Sequence, residues 1–587
     1  MGKNKLKKKT EVIAEIANAH QGSAETAFKL ALASYNSGAD AIKFQIYFAE
    51  EMLNKDHKRY EHFKNQSFNH KTWDYLIQRL KKKKIKIYCD IFGVEAFKVA
   101  RKNNVDGYKI HSSDLNNIRL LNLIKKTKKK IFLSAGGSTL NEIAFAVNIL
   151  NKNKIKPILL HGFQSYPTKV ENSDLGKINF FRKIFNNNCD YGYQDHISAD
   201  NKFNYISPLI AIGQGANYLE KHVTFNRELK GVDYYSSLEP NELKEFINLV
   251  KQSDKSFNES HYSFFDDEIK YRNQVKKIWF STKNLKKNKK LKIEDLEMRR
   301  PKDNSLHPIN IEKLLGKKLL QNLKPDTPMN RSITKNHVTA LIVARSKSKR
   351  LPNKATKKIC GVSTIEHLIK RVKKSKKINK IILCTTTNAE DKKIADIAKK
   401  NNINFFRGAN DDVLKRMLDA IKKINTDIVV RITGDDILID PKYLDLNLDF
   451  HIAKNLEYSN NKDLPSGCEV EIFDIELLKK IQFLAKDTSG TEYLTFYLEK
   501  YKNQFTTGSL PIPKNFKKNL RLTIDNKNDF RVVKKFLEEM HKQKKLFDYN
   551  LSDIVNFSKR NKKLFKKLKV KKKIEINTEF NWQKIVS

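Results

Sequence analysis

Two histidines in this chain stand beside acids at the ends of short apolar runs, Asp195-His196 in YGYQDHIS and Glu220-Lys221-His222 in YLEKHVT. Imidazole suits divalent Mn, Fe, Co or Zn, and a neighbouring acid can orient the ring or complete the shell, so the two could share one metal ion. Upstream, Lys43, Lys109, Ser112 and Ser134 supply cations and hydroxyls fit for a phosphate or a carboxylate. A metal, an anion cradle and convergent carboxylates suit a phosphorylated small substrate better than a polymer groove. Farther along, VARSKSKRLPNK places Arg345, Ser348, Arg350 and Lys354 around Pro352, directly after an apolar run. VVRITGDDILID then ends in Asp435 and Asp436, and RLTIDNKNDF carries Asp525. A basic turn with free amides can hold a triphosphate, and carboxylates together with phosphates hold magnesium. The turn lacks the glycines of a Walker loop or a dinucleotide fingerprint. On spacing alone, a phosphate seat and a solvated basic turn stand level.

Positioning these groups requires particular elements. Eight apolar runs, EVIAEI, AIKFQI, IKIYCDIF, GYKI, KIFLSAG, KPILLHG, CDYGYQD and YLEKHVT, alternate with helical patterns up to about residue 225. That alternation predicts a (β/α)8 TIM barrel. Its strand ends would deliver Glu15, Lys43 with Gln45, Asp90, Lys109 with Ser112, Ser134, His161 with Gln164, Asp195 with His196, and Glu220 with His222. Strand C-termini of such a barrel open on one face, so these groups would converge on one pocket. Taken singly, each reads equally as a turn or cap residue. From NHVTALIVARS onward, ALIVAR, KIILCTTT, NFFRG and DIVVRITGDD alternate with helices, the pattern of an open, doubly wound Rossmann-like sheet that binds ligands outside its strand ends. Asp525 is expected at the end of another buried strand of this sheet. The fold class is thus α/β, with a barrel over 1–252, a polar linker over 253–275, a small accessory domain over 276–334 and the doubly wound domain over 337–587.

At 587 residues the chain is long enough for two to four domains. Its net charge of +49 suggests a polyanion partner, but the lysines are scattered through every segment, which reads as solvated helix faces and not as a nucleic-acid surface. The 5 cysteines lie far apart without a CxxC pair, which fits reduced thiols. The basic N-terminus has no apolar core or cleavage site, and no apolar run approaches membrane-spanning length, so a cytoplasmic protein without a membrane partner is expected.

AEIANAHQGS, GADAIKFQ, KIHSSDLNN, LSAGGSTLNEI, LLHGFQSYPT, YGYQDHIS and LEKHVTFNRELKGVDYYSSLEP, in this order, resemble the sialic acid synthase family. The resemblance implies condensation of phosphoenolpyruvate with an N-acetylhexosamine to a nine-carbon 2-keto acid. It places Lys43, Lys109, Ser112, Ser134 and Gln164 on phosphoenolpyruvate, and Glu15, Gln45, Asp114, Tyr166, Glu220 and Asp233 at catalytic or substrate-facing positions. His196 and His222 match the ligands of a divalent Mn or Mg. The segment after residue 276 resembles that family's antifreeze-like domain, which implies a homodimer in which Arg300 reaches a partner's sugar. The chain departs from the family pattern at Ala19, at Cys89-Asp90-Ile91-Phe92 in place of STPF, at Gly162 in place of Cys, and at Gln194 in place of Ser. These changes leave the reaction type standing and the hexosamine open.

ALIVARSKSKRLPNK, FFRGANDDVLKR, VVRITGDDILIDP, LPSGCEVEIFD and TIDNKNDF resemble the cytidylyltransferases that activate acidic sugars, especially the spore-coat-polysaccharide type. This implies CTP as substrate, with Arg345, Ser348, Arg350 and Lys354 on its phosphates and Asp435 and Asp525 on Mg. Lys347 and Asn353 stand where the family usually has glycines, and Asp436 where it commonly has Cys. Two consecutive steps on one chain imply a bifunctional enzyme. One active half with a scaffold, or a basic polyanion-binding protein, are the alternatives.

Overall fold

The computed structural model of the protein describes residues 9–257, 264–303, 306–347, 350–488, 494–501, 504–517, 519–565 and 579–585. Ser348 and residues 258–263 of the expected linker therefore lie outside the described residues. The chain forms two compact units, Met1–Ser260 and His261–Ser587.

In the first unit, β1 (Glu11–Glu15), β2 (Ala41–Tyr47), β3 (Ile87–Phe92), β4 (Gly107–Ile110), β5 (Lys130–Ser134), β6 (Ile158–His161), β7 (Asp190–Asp195) and β8 (Tyr218–His222) close a barrel in sequence order. The β1–β2 and β1–β8 pairings are both parallel, so the ring closes without an edge. Helices shield its outside. His70–Lys82, for example, buries Trp73, Leu76, Ile77 and Leu80 at helical spacing, keeps its lysines outward, and starts where the Asn69 side chain accepts from the Thr72 amide. Inside, Ile13, Ala41, Tyr88, Phe132, Ile158, Leu160 and Tyr218 form an apolar plug. Side chains two residues apart on a strand share a face. Glu15, Lys43, Asp90, Ser134 and Glu220 each follow a plug residue by two, so they form the next layer toward the strand C-termini.

In the second unit, β9 (Ile278–Ser281) and β10 (Leu296–Arg299) pair antiparallel over a small core that includes Leu291, Leu314, Leu319 and Ile333. This piece is fastened to the rest of its unit. Arg331 and Lys313 both meet the buried Asp474 carboxylate, and Asn455 donates to the carbonyls of His307 at 3.0 Å and Met329 at 3.2 Å. The main sheet comprises β11 (Val338–Val343), β14 (Lys380–Thr386), β15 (Asn404–Gly408), β16 (Ile428–Thr433), β17 (Tyr458–Asn460), β18 (Glu471–Asp474) and β19 (Thr507–Ser509); β12 (Lys358–Ile359) and β13 (Val362–Ser363) make a separate hairpin. Strand order is β15-β14-β11-β16-β18-β17-β19, parallel from β15 to β16 and antiparallel across β16–β18. The four expected strands are the parallel part. The expected strand carrying Asp525 is absent: Arg521 makes only an isolated bridge to Ser466, and Asp525 sits just before the helix Lys527–Lys542. Among the described residues no helix is long and apolar enough to cross a membrane.

Candidate active sites

At the mouth of the barrel, five charged side chains from five strands meet away from water. Lys43 contacts Glu15 and lies 2.6 Å from Glu220 and 3.8 Å from Asp90; Lys109 lies 2.8 Å from Glu220 and 3.5 Å from Asp90. All five are buried. Removing such ions from water costs several kcal/mol each, about as much as their attraction returns, so stability alone does not account for the cluster. Burial pulls the Lys43 ammonium down to about 7, against the pull of Glu220. Lys109 is held above the ordinary lysine range, because Glu220 and Asp90 outweigh its burial. Buried, charge-coupled lysines perturbed in this way are concentrated at functional sites.

Beside it stand His196 and His222, both buried, with ring centroids 5.3 Å apart. Burial lowers the His196 imidazole to about 4 and His222 well below its ordinary value, so both are neutral. His196 Nδ1 lies 2.9 Å from the Phe163 carbonyl, which only an N–H satisfies, leaving Nε2 as an acceptor. Two neutral imidazoles with one oriented in this way fit a shared divalent ion, and Asp233 is 3.9 Å from His222 Nδ1. Among the described residues no three His, Cys, Asp or Glu side chains gather as a metal cluster. Tyr166 covers the pair, its ring 4.4 Å from that of His196, and donates to Gln164 at 2.7 Å. Gln164 in turn is 3.4 Å from Ser134 Oγ. Gln45 is half-buried on β2 opposite Asp90, and Ser112 sits on the turn after β4.

Two strand-end groups, Asp195 and His161, turn away from the cluster. Asp195, expected to support His196, binds Lys221 at 2.6 Å and accepts from Tyr193. Adjacent strand residues point to opposite faces, which turns Asp195 outward toward the helix Phe203–Gly213. His161 is tied to the Ser173 carbonyl at 2.8 Å. Asp114 accepts from Asn117 at 2.8 Å within its own turn. Two departures from the family pattern explain each other. A Cβ on Gly162 would lie 2.2 Å from Gln194 Cγ, so only glycine there admits glutamine here, and the Gln194 amide then donates to Ser134 at 2.8 Å. Gln194 and Asp90 are the groups that sequence reasoning left without a role; the position of Asp90, two residues past Tyr88, was the available signal.

In the second unit, the turn after β11, the end of β16 and residues 521–525 surround a cavity of about 670 Å³. Arg345, Lys347, Arg350, Lys354, Arg431, Arg521, Asp435, Asp436 and Asp525 line it. Gly434 brings β16 against β11: a Cβ there would lie 2.8 Å from that of Ala344. Asn353, where a glycine is usual, adopts a left-handed φ of 55°, which asparagine tolerates better than other side chains. The loop is anchored by Asp391, which accepts from the Ser346 amide at 2.6 Å. Lys354 contacts Asp435 and lies 3.6 Å from Asp525, so one cation already serves both carboxylates, the arrangement a bound magnesium would need. Asp435 and Asp525 are held together by the Ile524 amide, which donates to the Asp435 carbonyl at 3.0 Å. Arg521, missed in the sequence, pairs with Asp525 and with Asp529 at 3.3 Å; its place four residues before Asp525 was the signal. Arg300 is exposed just past β10.

A second cavity of about 580 Å³ shares Arg431, Thr433, Asp436 and Thr495 with the first and adds Tyr458, Asn460, Lys462, Glu469, Glu471 and Ser509. Burial, with Asp436 and Glu471 nearby, pushes the Glu469 carboxyl up to about 8. A raised acid binds its proton in the folded chain while the unfolded chain has released it, so stability falls as pH rises from the ordinary glutamate range to about 8. Glu469→Gln should flatten that decline by on the order of 2 kcal/mol in urea unfolding of the second unit's transition at pH 5 against pH 9. A decline equal to that of the wild type would refute it.

A cluster of buried charges at a barrel mouth and, on the same chain, a sheet with a basic turn and paired carboxylates fit a synthase-like transferase fused to a nucleotidyltransferase. The chain belongs to the NeuB family, whose model matches residues 30–262, and carries a Cytidylyltransferase domain matched over residues 339–573. It is 30% identical over 336 residues to the N,N'-diacetyllegionaminic acid synthase of Campylobacter jejuni, covering 54% of this chain and 98% of that protein. An uncharacterised protein of Methanocaldococcus jannaschii is 33% identical over 225 residues, 38% of this chain and 91% of its own length. A crystal structure assigned as spore coat polysaccharide biosynthesis protein E of Chromobacterium violaceum matches with a TM-score of 0.50 at 20% identity, covering 56% of this chain and 100% of that one, a likeness of fold. Both families are generally metal-dependent.

Proposed function

We propose that the barrel condenses phosphoenolpyruvate with an N-acetylhexosamine, N-acetylmannosamine-like in its chemistry, and that the second unit activates the resulting nonulosonic acid with CTP, releasing pyrophosphate. The observation that carries this reading is the pairing on one chain of a NeuB-family barrel, with its cluster of buried charges, and a cytidylyltransferase domain with a charged cavity, because the product of the first is the kind of acid the second consumes. Lys43 and Lys109 would hold the substrate's carboxylate and phosphate, with Ser112, Ser134 and Gln164 as hydroxyl and amide partners. Tyr166 and the histidine pair would enclose the sugar's carbonyl end, with Glu15, Gln45, Glu220 and Asp233 around it. A divalent ion, Mn or Mg, at His196 and His222 would supply Lewis-acid polarisation of that carbonyl.

In the second unit, Arg345, Ser348, Arg350 and Lys354 would hold the nucleotide phosphates while the anomeric hydroxyl attacks the α-phosphorus in line. Magnesium at Asp435 and Asp525 would neutralise the charge of the leaving pyrophosphate. A homodimer in which Arg300 reaches a partner's sugar, and a cytoplasmic setting, belong to the same reading. Purified chain supplied with phosphoenolpyruvate, CTP, divalent metal and a panel of hexosamines is expected to release phosphate and pyrophosphate and to yield a CMP-nonulosonate by mass spectrometry. Release of neither with any hexosamine would refute the proposal; release of one alone would favour a half-active chain.

A further inference from the structure

Asp90 is fully buried at 0% exposure, and neither of its carboxylate oxygens has a hydrogen-bond partner among the described residues. The nearest cations, Lys109 at 3.5 Å and Lys43 at 3.8 Å, are beyond hydrogen-bond reach. The two other carboxylates of the cluster are engaged. Glu15 accepts from the Ala17 amide at 2.7 Å and pairs with Lys43, and Glu220 spans both lysines at 2.6 and 2.8 Å. A buried carboxylate left without a donor carries a substantial desolvation cost, so what completes Asp90 is a donor brought by a ligand. Because an ionised carboxylate only accepts, that donor is a hydroxyl or a water and not another anion.

We propose that Asp90 is a further catalytic residue of the barrel, the base that takes the proton from the water adding to C2 of phosphoenolpyruvate. The assignment rests on the condensation reading given above. With the carboxylate and phosphate of phosphoenolpyruvate on Lys43 and Lys109, the carbon bearing both groups lies between the lysines, facing Asp90. The C3–C1 bond forms as the enol electrons attack the aldehyde, leaving an alkoxide on the sugar and a cation at C2. Water's oxygen bonds to C2 and one of its protons passes to Asp90, and from there to the alkoxide. The second proton leaves with phosphate as the C2–O bond to phosphorus breaks and the ketone forms, so no oxidant or further reactant is needed. In the family pattern this position belongs to the STPF phrase, which contains no acid.

The test compares Asp90→Asn, Asp90→Thr and Asp90→Glu in the full chain, with phosphate release from phosphoenolpyruvate measured against the hexosamine that serves the wild type. Both neutral variants should lose about 10²- to 10³-fold in kcat, with phosphoenolpyruvate affinity by calorimetry unchanged or tighter, since a negative charge has left the pocket. Asp90→Glu should recover part of kcat. Two neutral variants guard against misfolding, which thermal unfolding of each would reveal. Wild-type kcat in either folded neutral variant, or an effect confined to the KM for phosphoenolpyruvate, overturns the assignment while leaving condensation in place. A wild-type chain that releases no phosphate with any hexosamine overturns the condensation reading itself.

Discussion

Replacing Lys43 by methionine is expected to reduce phosphate release from phosphoenolpyruvate by about 10³-fold or more and to lower the unfolding temperature of the barrel, while CTP-dependent pyrophosphate release stays at the wild-type level. Lys43 touches Glu15, lies 2.6 Å from Glu220 and is the only lysine on Glu15 among the described ion pairs. Without it, three buried carboxylates share Lys109 alone. Breaking a buried pair on one side typically costs about 3–5 kcal/mol, because the remaining charge stays desolvated. Adding Glu15→Gln should therefore restore part of the lost stability and none of the activity, a non-additive pair that a thermal-melt cycle reads directly. Additive destabilisation would mean that the two side chains act separately. Unchanged phosphate release in Lys43→Met would remove the cluster from the chemistry altogether.

The barrel was legible because its strands are fully buried and read as continuous apolar runs, and because the charged layer follows the plug residues at a spacing of two. The same spacing rule shows where strand-end counting went too far. Asp195 and His196 are neighbours on the chain and therefore face apart, and His161 spends its ring on a backbone carbonyl. Neither outcome is visible without knowing which face is inward. Asp525 was found by motif but assigned to a strand, because LTI reads as apolar and β-branched; the local backbone instead turns to let Ile524 bond to Asp435. The fit between Gly162 and Gln194, and the orphaned oxygens of Asp90, depend on approaches between strands distant in sequence, which no local pattern encodes. Glu469 is harder still, since its raised carboxyl follows from burial beside Asp436 and Glu471.

Asp435→Asn and Asp525→Asn are each expected to cut CTP-dependent pyrophosphate release by about 10²- to 10³-fold without altering phosphate release by the barrel. Asparagine keeps the shape and removes the charge that would hold a metal beside the nucleotide phosphates. The two substitutions should differ in stability. Asp525 is buried and also meets Arg350 at 3.2 Å and Arg521, so neutralising it leaves cations facing one another around the cavity. Asp435 is half-buried and pairs with Lys354, which retains Asp525. The unfolding temperature of the second unit should therefore fall more in Asp525→Asn than in Asp435→Asn. Excess magnesium should not rescue either variant if the carboxylate itself is a ligand, whereas a shift in magnesium dependence with full recovery of kcat would place that aspartate outside the coordination shell. Comparing the two against Lys354→Met separates roles further: that variant frees both carboxylates from their shared cation, so it should raise magnesium affinity while lowering nucleotide affinity, as equilibrium binding of each would measure.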